Sequence, residues 1–380
     1  MNEKEKWMEE RELRMTKAIR REEVDKTPFM SISDQYTPFY FGVDKGTITS
    51  YEIAADLHTR FDIDLRCDTS IIPFEAVNLT VTPKYKLLGG GTFIVKDNTK
   101  MQSPDKVDIM NDSEYPELIE SPAKFLINKV YKRRYELLNK SLDEQYNGYL
   151  QVLDESHKNL QYISLLEQKG SHITQSGVLI NPVDIIFGFL REFKGIINDI
   201  KRRPELVRDA GLAIAEELKS LIDTMPPTPD KGIFIPMWIP AFLRPKEFEK
   251  VYWPSFKLLA EYMVEHGHNV FYYFEKNYGH LQDYLQELPK NGIVGIFQED
   301  DLIKTKKKLG NTMAIAGGLS TAIMQHNTKE QCIDHVKKLI DDLAPGGGYF
   351  IAPDTPMMFP SDARPENLKA IADYIFNSKK

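Results

Sequence analysis

A carboxylate that ends an apolar, aromatic run has two chemical uses. In "VFYYFEKNYGH" (Val270–His280) the strand-forming residues stop at Glu275, and Asn277, Tyr278 and Gly279 follow before a helical pattern starts near His280. Held in an apolar pocket, such a carboxyl keeps its proton to higher pH and acts as a general acid. Beside a second donor, Asp300 or His280, it acts instead as a metal ligand. It lies too far ahead of the helix to serve as its N-cap.

Other strand-like runs also end on polar residues. "FDIDLRCDT" (Phe61–Thr69) alternates Asp62, Asp64, Arg66 and Asp68. As a strand it sets acids and a guanidinium on one face, either as a structural ion pair or as an Asp64–Arg66 pair that fixes an acidic substrate. Further runs close on Gln175 and Ser176, on Met237 and Trp238, on Gln298 to Asp301, on Gly317 and Gly318, and on Asp354 with Thr355. One of Asp300 and Asp301 suits a helix N-cap, and Asp354 suits a turn. The candidate catalytic residues are therefore Glu275, Asp300 and Asp64. The candidate substrate contacts are Arg66, Trp238, Asn277, Tyr278 and Gly317, and the candidate metal ligands are Glu275 and His280. Tyr272, Tyr273, Phe274 and Tyr278 suit an apolar or aromatic substrate and suit core packing equally well.

Other chemistries lack their residues. The sequence has no H-x-C, C-x-x-C or H-E-x-x-H, so a thiolate-rich zinc site is excluded, while carboxylates with one histidine stay open. It has no G-x-S-x-G and no Cys–His pairing signal, and Cys332 falls mid-helix. His266 and His268 precede a strand, which puts them at the end of a parallel sheet away from catalysis.

The elements that carry these residues alternate. "GIFIPMW", "NVFYYFE", "IVGIFQED", "TMAIAGG" and "YFIAPD" read as strands apolar on both faces, each followed by a helical pattern. Thr328 stands as an N-cap and Pro254 interrupts its helix. Strands of this kind form a parallel sheet covered by helices. No G-x-G-x-x-G or phosphate loop follows a strand, so the spacing favours an α/β (β/α)₈ barrel over a dinucleotide-binding sheet. "PFMSIS" and "FDIDLRCDT" are the expected first two strands, with "SYEIAADLHTR" as the helix between them. "KYKLLGGGTFIVKDNTK" is the expected β-hairpin insertion, turning at its glycines. Residues 1–27 read as an N-terminal helical extension and 28–380 as the barrel.

Composition narrows the partners. The chain carries a formal net charge of −7, which speaks against nucleic acid. The charged N-terminus lacks an apolar core, no apolar run is long enough for a membrane span, and two cysteines in unrelated contexts suit the cytoplasm. Assembly is left open, a homodimer included.

The last third resembles the uroporphyrinogen decarboxylase superfamily of (β/α)₈ barrels. The stretches that carry this are "KEFEKVYWPSFKLLAEYMVEHG", "LGNTMAIAGGLS" and "GGGYFIAPDTPMMFPSDARPENLKAI", with "RREEVDKTPFM" similar to the way these barrels begin. That superfamily also holds methyltransferases that exchange methyl groups with corrinoid proteins. Members acting on thiols carry an H-x-C pair where Glu275 and Asn277 stand here, and a cysteine in the last loop, which here reads Ala352-Pro353-Asp354-Thr355. The arginine-rich motif and G-H-G of the tetrapyrrole decarboxylases are also missing. The resemblance therefore implies the branch with an E-x-x-[YW] strand end. Such a protein moves a methyl group from a small O- or N-methylated compound to the corrinoid (cobalamin) of a separate corrinoid-binding protein. Zinc is compatible only without a thiolate site. A decarboxylase of a non-porphyrin acid, or a non-catalytic barrel that binds a corrinoid or partner, are the alternatives.

Overall fold

The computed structural model describes residues 3–33, 35–71, 79, 86–88, 93–96, 99–102 and 109–378. Eight parallel strands are arranged in chain order around a closed barrel. They are β1 (Met30–Ser31), β2 (Thr69–Ser70), β3 (Gln175–Val178), β4 (Gly232–Met237), β5 (Asn269–Phe274), β6 (Ile293–Phe297), β7 (Ala314–Leu319) and β8 (Tyr349–Pro353). Strands β3 to β8 pair in sequence and β1 pairs with β2. Single bridges, Phe29 with Ile351 and Ser70 with Ile173, join the two pieces at both seams.

Alternation along each strand divides the core into two layers. Phe271 and Tyr273 of β5 join Phe234, Ile296, Ala316 and Phe350 inside the barrel, while Val270, Tyr272 and Phe274 face the helices. Helix α1 (Glu3–Ile19) adds Met15, Ala18 and Ile19 to the inner cluster and so closes the barrel floor. Arg14 fixes it there by bonding Asp25 at 2.7 Å and Asp68, whose other oxygen accepts the Phe29 amide at 2.9 Å.

The outer layer comprises α2 (Tyr51–Leu65), α3 (Leu142–Lys169), α4 (Pro204–Ile222), α5 (Trp253–Glu265), α6 (Leu302–Leu309), α7 (Lys329–Leu343) and α8 (Pro365–Asn377). Thr328 caps α7 as expected, its side chain accepting the Gln331 amide. Pro254 stands in the first turn of α5, where its missing N–H costs nothing, and a π-helical turn at Phe248–Tyr252 precedes it. After β5 the covering segment shrinks to a 3₁₀ turn and the short helix Gln282–Leu285. Among the described residues no helix is long and apolar enough to cross a membrane. Both cysteines are buried and free.

Two expectations are corrected. "FDIDL" is not a strand but the last turns of α2, which starts at the Ser50 cap and stops at Arg66 in the left-handed region (φ 51°). The buried positions Ala54, His58, Phe61 and Leu65 recur at helical spacing, and that longer period outweighs the short alternation. The insertion does hold a hairpin, Phe93–Lys96 against Thr99–Gln102. Its connection is residues 97–98 rather than the expected glycines 89–91, and both lie outside the described residues.

Gly317 is also a matter of fold. Its φ is +133°, and a Cβ there would lie 2.8 Å from the Phe297 carbonyl oxygen of the neighbouring strand. It therefore permits close strand approach and is not the expected substrate contact. Gly317→Ala should lower stability by roughly 2–3 kcal/mol in urea unfolding, from backbone strain plus the clash.

Candidate active site

The site is built around one tryptophan held at two points. Strand β4 ends at Met237, and the chain turns at Trp238 into the 3₁₀ segment Ile239–Phe242. The backbone amides of Trp238 and Ile239 donate to one oxygen of Asp184 at 3.2 and 2.9 Å. The hydroxyl of Tyr252 donates to the other oxygen at 2.5 Å. The indole N–H of Trp238 donates to Glu275 Oε1. Glu275 continues the inward parity of Phe271 and Tyr273, and its amide still reaches the Met237 carbonyl at 3.3 Å.

Both carboxyls are more basic than usual. Burial pushes Glu275 up to about 7; the Trp238 hydrogen bond opposes the shift and the charge of Asp184 adds to it. Burial likewise raises Asp184 to about 6, against its three donors. Near neutral pH, Glu275 is thus poised to hold a transferable proton in a largely water-excluded place, at the N–H edge of an indole.

The loop after β5 is held rigidly around this centre. Lys276 is left-handed (φ 69°), and its amide donates to Gln298 Oε1 at 2.7 Å. Tyr273 Oη donates to the Asp354 carbonyl at 3.1 Å, which ties β5 to the β8 end across the mouth. The Asp354 side chain accepts from Thr321 N and Thr355 Oγ1, the expected turn role.

Several expected site residues serve this scaffold instead. Asp301 caps α6, and Asp300 accepts the Tyr278 amide at 2.9 Å and the Gln282 amide group at 3.1 Å. Burial raises the pKa of Asp300 as well, but its oxygens fix the loop rather than join Glu275. Tyr278 is fully buried, with its hydroxyl on the Met237 carbonyl at 3.0 Å, so it packs and does not contact substrate. Asn277 closes an Asx turn, accepting from Gly279 N at 3.0 Å. His280 bonds the Leu243 carbonyl through Nε2 at 3.0 Å, and Glu275 turns to Trp238, so the two expected metal ligands serve other partners. Among the described residues no three His, Cys, Asp or Glu side chains come together as a cation site, so a metal is not fitted by this donor set.

Asp64 and Arg66 are corrected outright. They stand just before β2, at the floor of the barrel and away from its mouth. Asp64 accepts from Tyr40 Oη and lies 3.5 Å from Lys369 Nζ, and Arg66 stacks on Phe376 at 4.0 Å. A decarboxylase built on that pair has no site there. Asp64→Asn and Arg66→Ala should leave turnover within about twofold of the parent and cost under ~1 kcal/mol each in thermal unfolding.

Asp184 was not legible as a site residue. Its only signal is a lone acid inside the apolar run "NPVDIIFGFL", where an unpartnered carboxylate would be costly. A separate groove of about 270 Å³ is lined by Ile197, Ile200, Leu243 and the edge-on pair Phe193–Phe242, with Lys201, Arg244 and Glu247 as its charged members.

Comparisons with known proteins agree with this architecture. Residues 154–377 match the family described as Uroporphyrinogen decarboxylase (URO-D). Among solved structures, a methyltransferase from Methanosarcina mazei superposes with a TM-score of 0.65 at 15% identity, covering 96% of this chain and 98% of that chain. At that identity the likeness is one of fold. No curated protein matches the sequence.

Proposed function

The chain belongs to the uroporphyrinogen decarboxylase (URO-D) family, and from that premise we propose that it is a methyltransferase. It takes a methyl group from a small O- or N-methylated compound and delivers it to a reduced corrinoid carried by a separate protein. The observation that carries this reading is the largely buried Glu275 carboxyl just past the end of β5, bonded to the Trp238 indole, where burial pushes its pKa up to about 7. The structural neighbour from Methanosarcina mazei, a methyltransferase, is consistent with it.

The chemistry asks little else of the protein. A reduced corrinoid would supply the nucleophile that accepts the methyl group. As the methyl carbon–oxygen or carbon–nitrogen bond breaks, its electron pair stays on the leaving atom. Glu275 gives its proton to that atom, which spares the site a buried anion or a strongly basic amide. Trp238 offers a flat apolar surface to the donor, and Asp184 keeps that surface in place through the two backbone amides. The apolar surroundings exclude water that would otherwise lower the carboxyl's proton affinity.

The test is direct. The purified protein is mixed with reduced corrinoid and panels of methoxylated aromatics and methylamines, and methylated corrinoid is followed by its absorbance. Methyl transfer from one class supports the reading. Carbon dioxide release from a carboxylated substrate with no corrinoid requirement overturns it.

A further inference from the structure

Helix α3 presents an apolar stripe that the barrel does not use. It is capped at Ser141 by a capping box, runs 28 residues, and buries only Gly148, Tyr162 and Leu166. Over 142–160, Gly148 alone is buried. Yet Leu142, Tyr146, Tyr149, Leu153, Ser156 and Leu160 follow one another at alternating steps of four and three residues. That is the seam of a helix pair, two positions per heptad. Its large members stand in solvent: Leu142 is 82% exposed, Leu160 69% and Tyr146 64%. A single exposed leucine needs no explanation, but a continuous seam about 28 Å long does.

The seam is complementary to itself in one direction. We propose that a second copy of this chain packs antiparallel on α3, with the twofold axis passing at Gln151. In that register Leu142 meets the partner's Leu160, Tyr149 meets the partner's Leu153, and Tyr146 meets the small partner's Ser156. Every layer then pairs a seam position of one type with the other, as antiparallel helix pairs require. The flanks agree. Leu150 meets its own copy across the axis, Gln145 lies beside the partner's Asn159, and Asp143 lies beside the partner's His157. A parallel pair would instead set Asp143 and Glu144, at the acidic start of the helix, against their own copies. Six large apolar side chains per copy, at on the order of 100 Å² each, bring roughly 600 Å² per protomer into contact, close to the ~800 Å² of a standard stable interface.

Sedimentation velocity over a range of concentrations should show a species of twice the 43.8 kDa chain. Leu153→Asp, at an exposed position and so with an unchanged circular dichroism spectrum, should raise the dimer dissociation constant roughly 100-fold or more. Both native cysteines are buried, so introduced ones report cleanly. Oxidised Leu150→Cys should form a covalent dimer on a non-reducing gel, and Ser156→Cys should not. A monomer at every concentration overturns the proposal, as does a dimer unaffected by Leu153→Asp. Cross-linking by Ser156→Cys in place of Leu150→Cys also overturns it, since that is the signature of parallel pairing.

Discussion

Glu275→Gln should slow methyl transfer by roughly 10²–10⁴-fold at pH 6, the range lost when a general acid is removed. The amide carbonyl still accepts the Trp238 indole N–H, so the fold and the site's shape are expected to survive. The wild-type rate should be steady below pH 7 and fall about tenfold per unit above it, as the group held near 7 by burial loses its proton. Stability carries the same signature. The folded-state pKa lies above the unfolded one, so the favourable contribution is complete below about pH 4 and is lost as pH rises through about 7. The glutamine variant lacks that slope and should therefore be the more stable protein at pH 8 than the parent is. Stopped-flow methylation against pH, with urea unfolding at pH 5 and 8, checks both halves. Full activity in the variant would remove Glu275 from the chemistry.

Asp184→Ala should be the most destabilising single change near the site. It leaves the amides of Trp238 and Ile239 and the hydroxyl of Tyr252 without their acceptor in a fully buried place. Unmet buried donors and a small cavity together should cost roughly 3–5 kcal/mol. Freed from its backbone clamp, Trp238 would also lose its register with Glu275, so the transfer rate should fall even in the surviving folded fraction. Asp184→Asn separates the two effects. Its carbonyl accepts the backbone amides, and its amide group meets the Tyr252 oxygen, which is able to accept. Most of the stability should therefore return. Equal stability of the alanine and asparagine variants in urea would show that the clamp contributes little.

The barrel was legible where strand and helix periods are long, from "GIFIPMW" to the closing helix, because buried parallel strands and amphipathic helices leave different spacings. It misled at "FDIDLRCDT", where a short alternation coincides with the end of a helical period. Only the Ser50 cap and the spacing from Ala54 onward separate the two readings. Glu275 was found because it breaks an apolar run at a strand end. Asp184 was missed because its role depends on three donors that come from the turn after β4 and the π-helical turn before α5, far away in sequence. Asn277, Tyr278 and His280 are near Glu275 in the chain and Asp300 follows the end of the next strand, and that placement made them look like partners. Their hydrogen bonds show instead that a rigid loop needs its own polar residues satisfied before any are left for a substrate.

Trp238 also makes the site visible to light. Its indole donates to a carboxyl that changes charge near neutral pH, while Trp253 is packed in the core between Phe248, Phe256 and Tyr284. An excited indole is sensitive to a charge at its ring nitrogen, so the intrinsic emission of the resting protein should titrate with Glu275. The proton on which the proposed chemistry depends is then observable before any methyl donor is known, and a compound that displaces or buries it should announce itself as a shift in that titration.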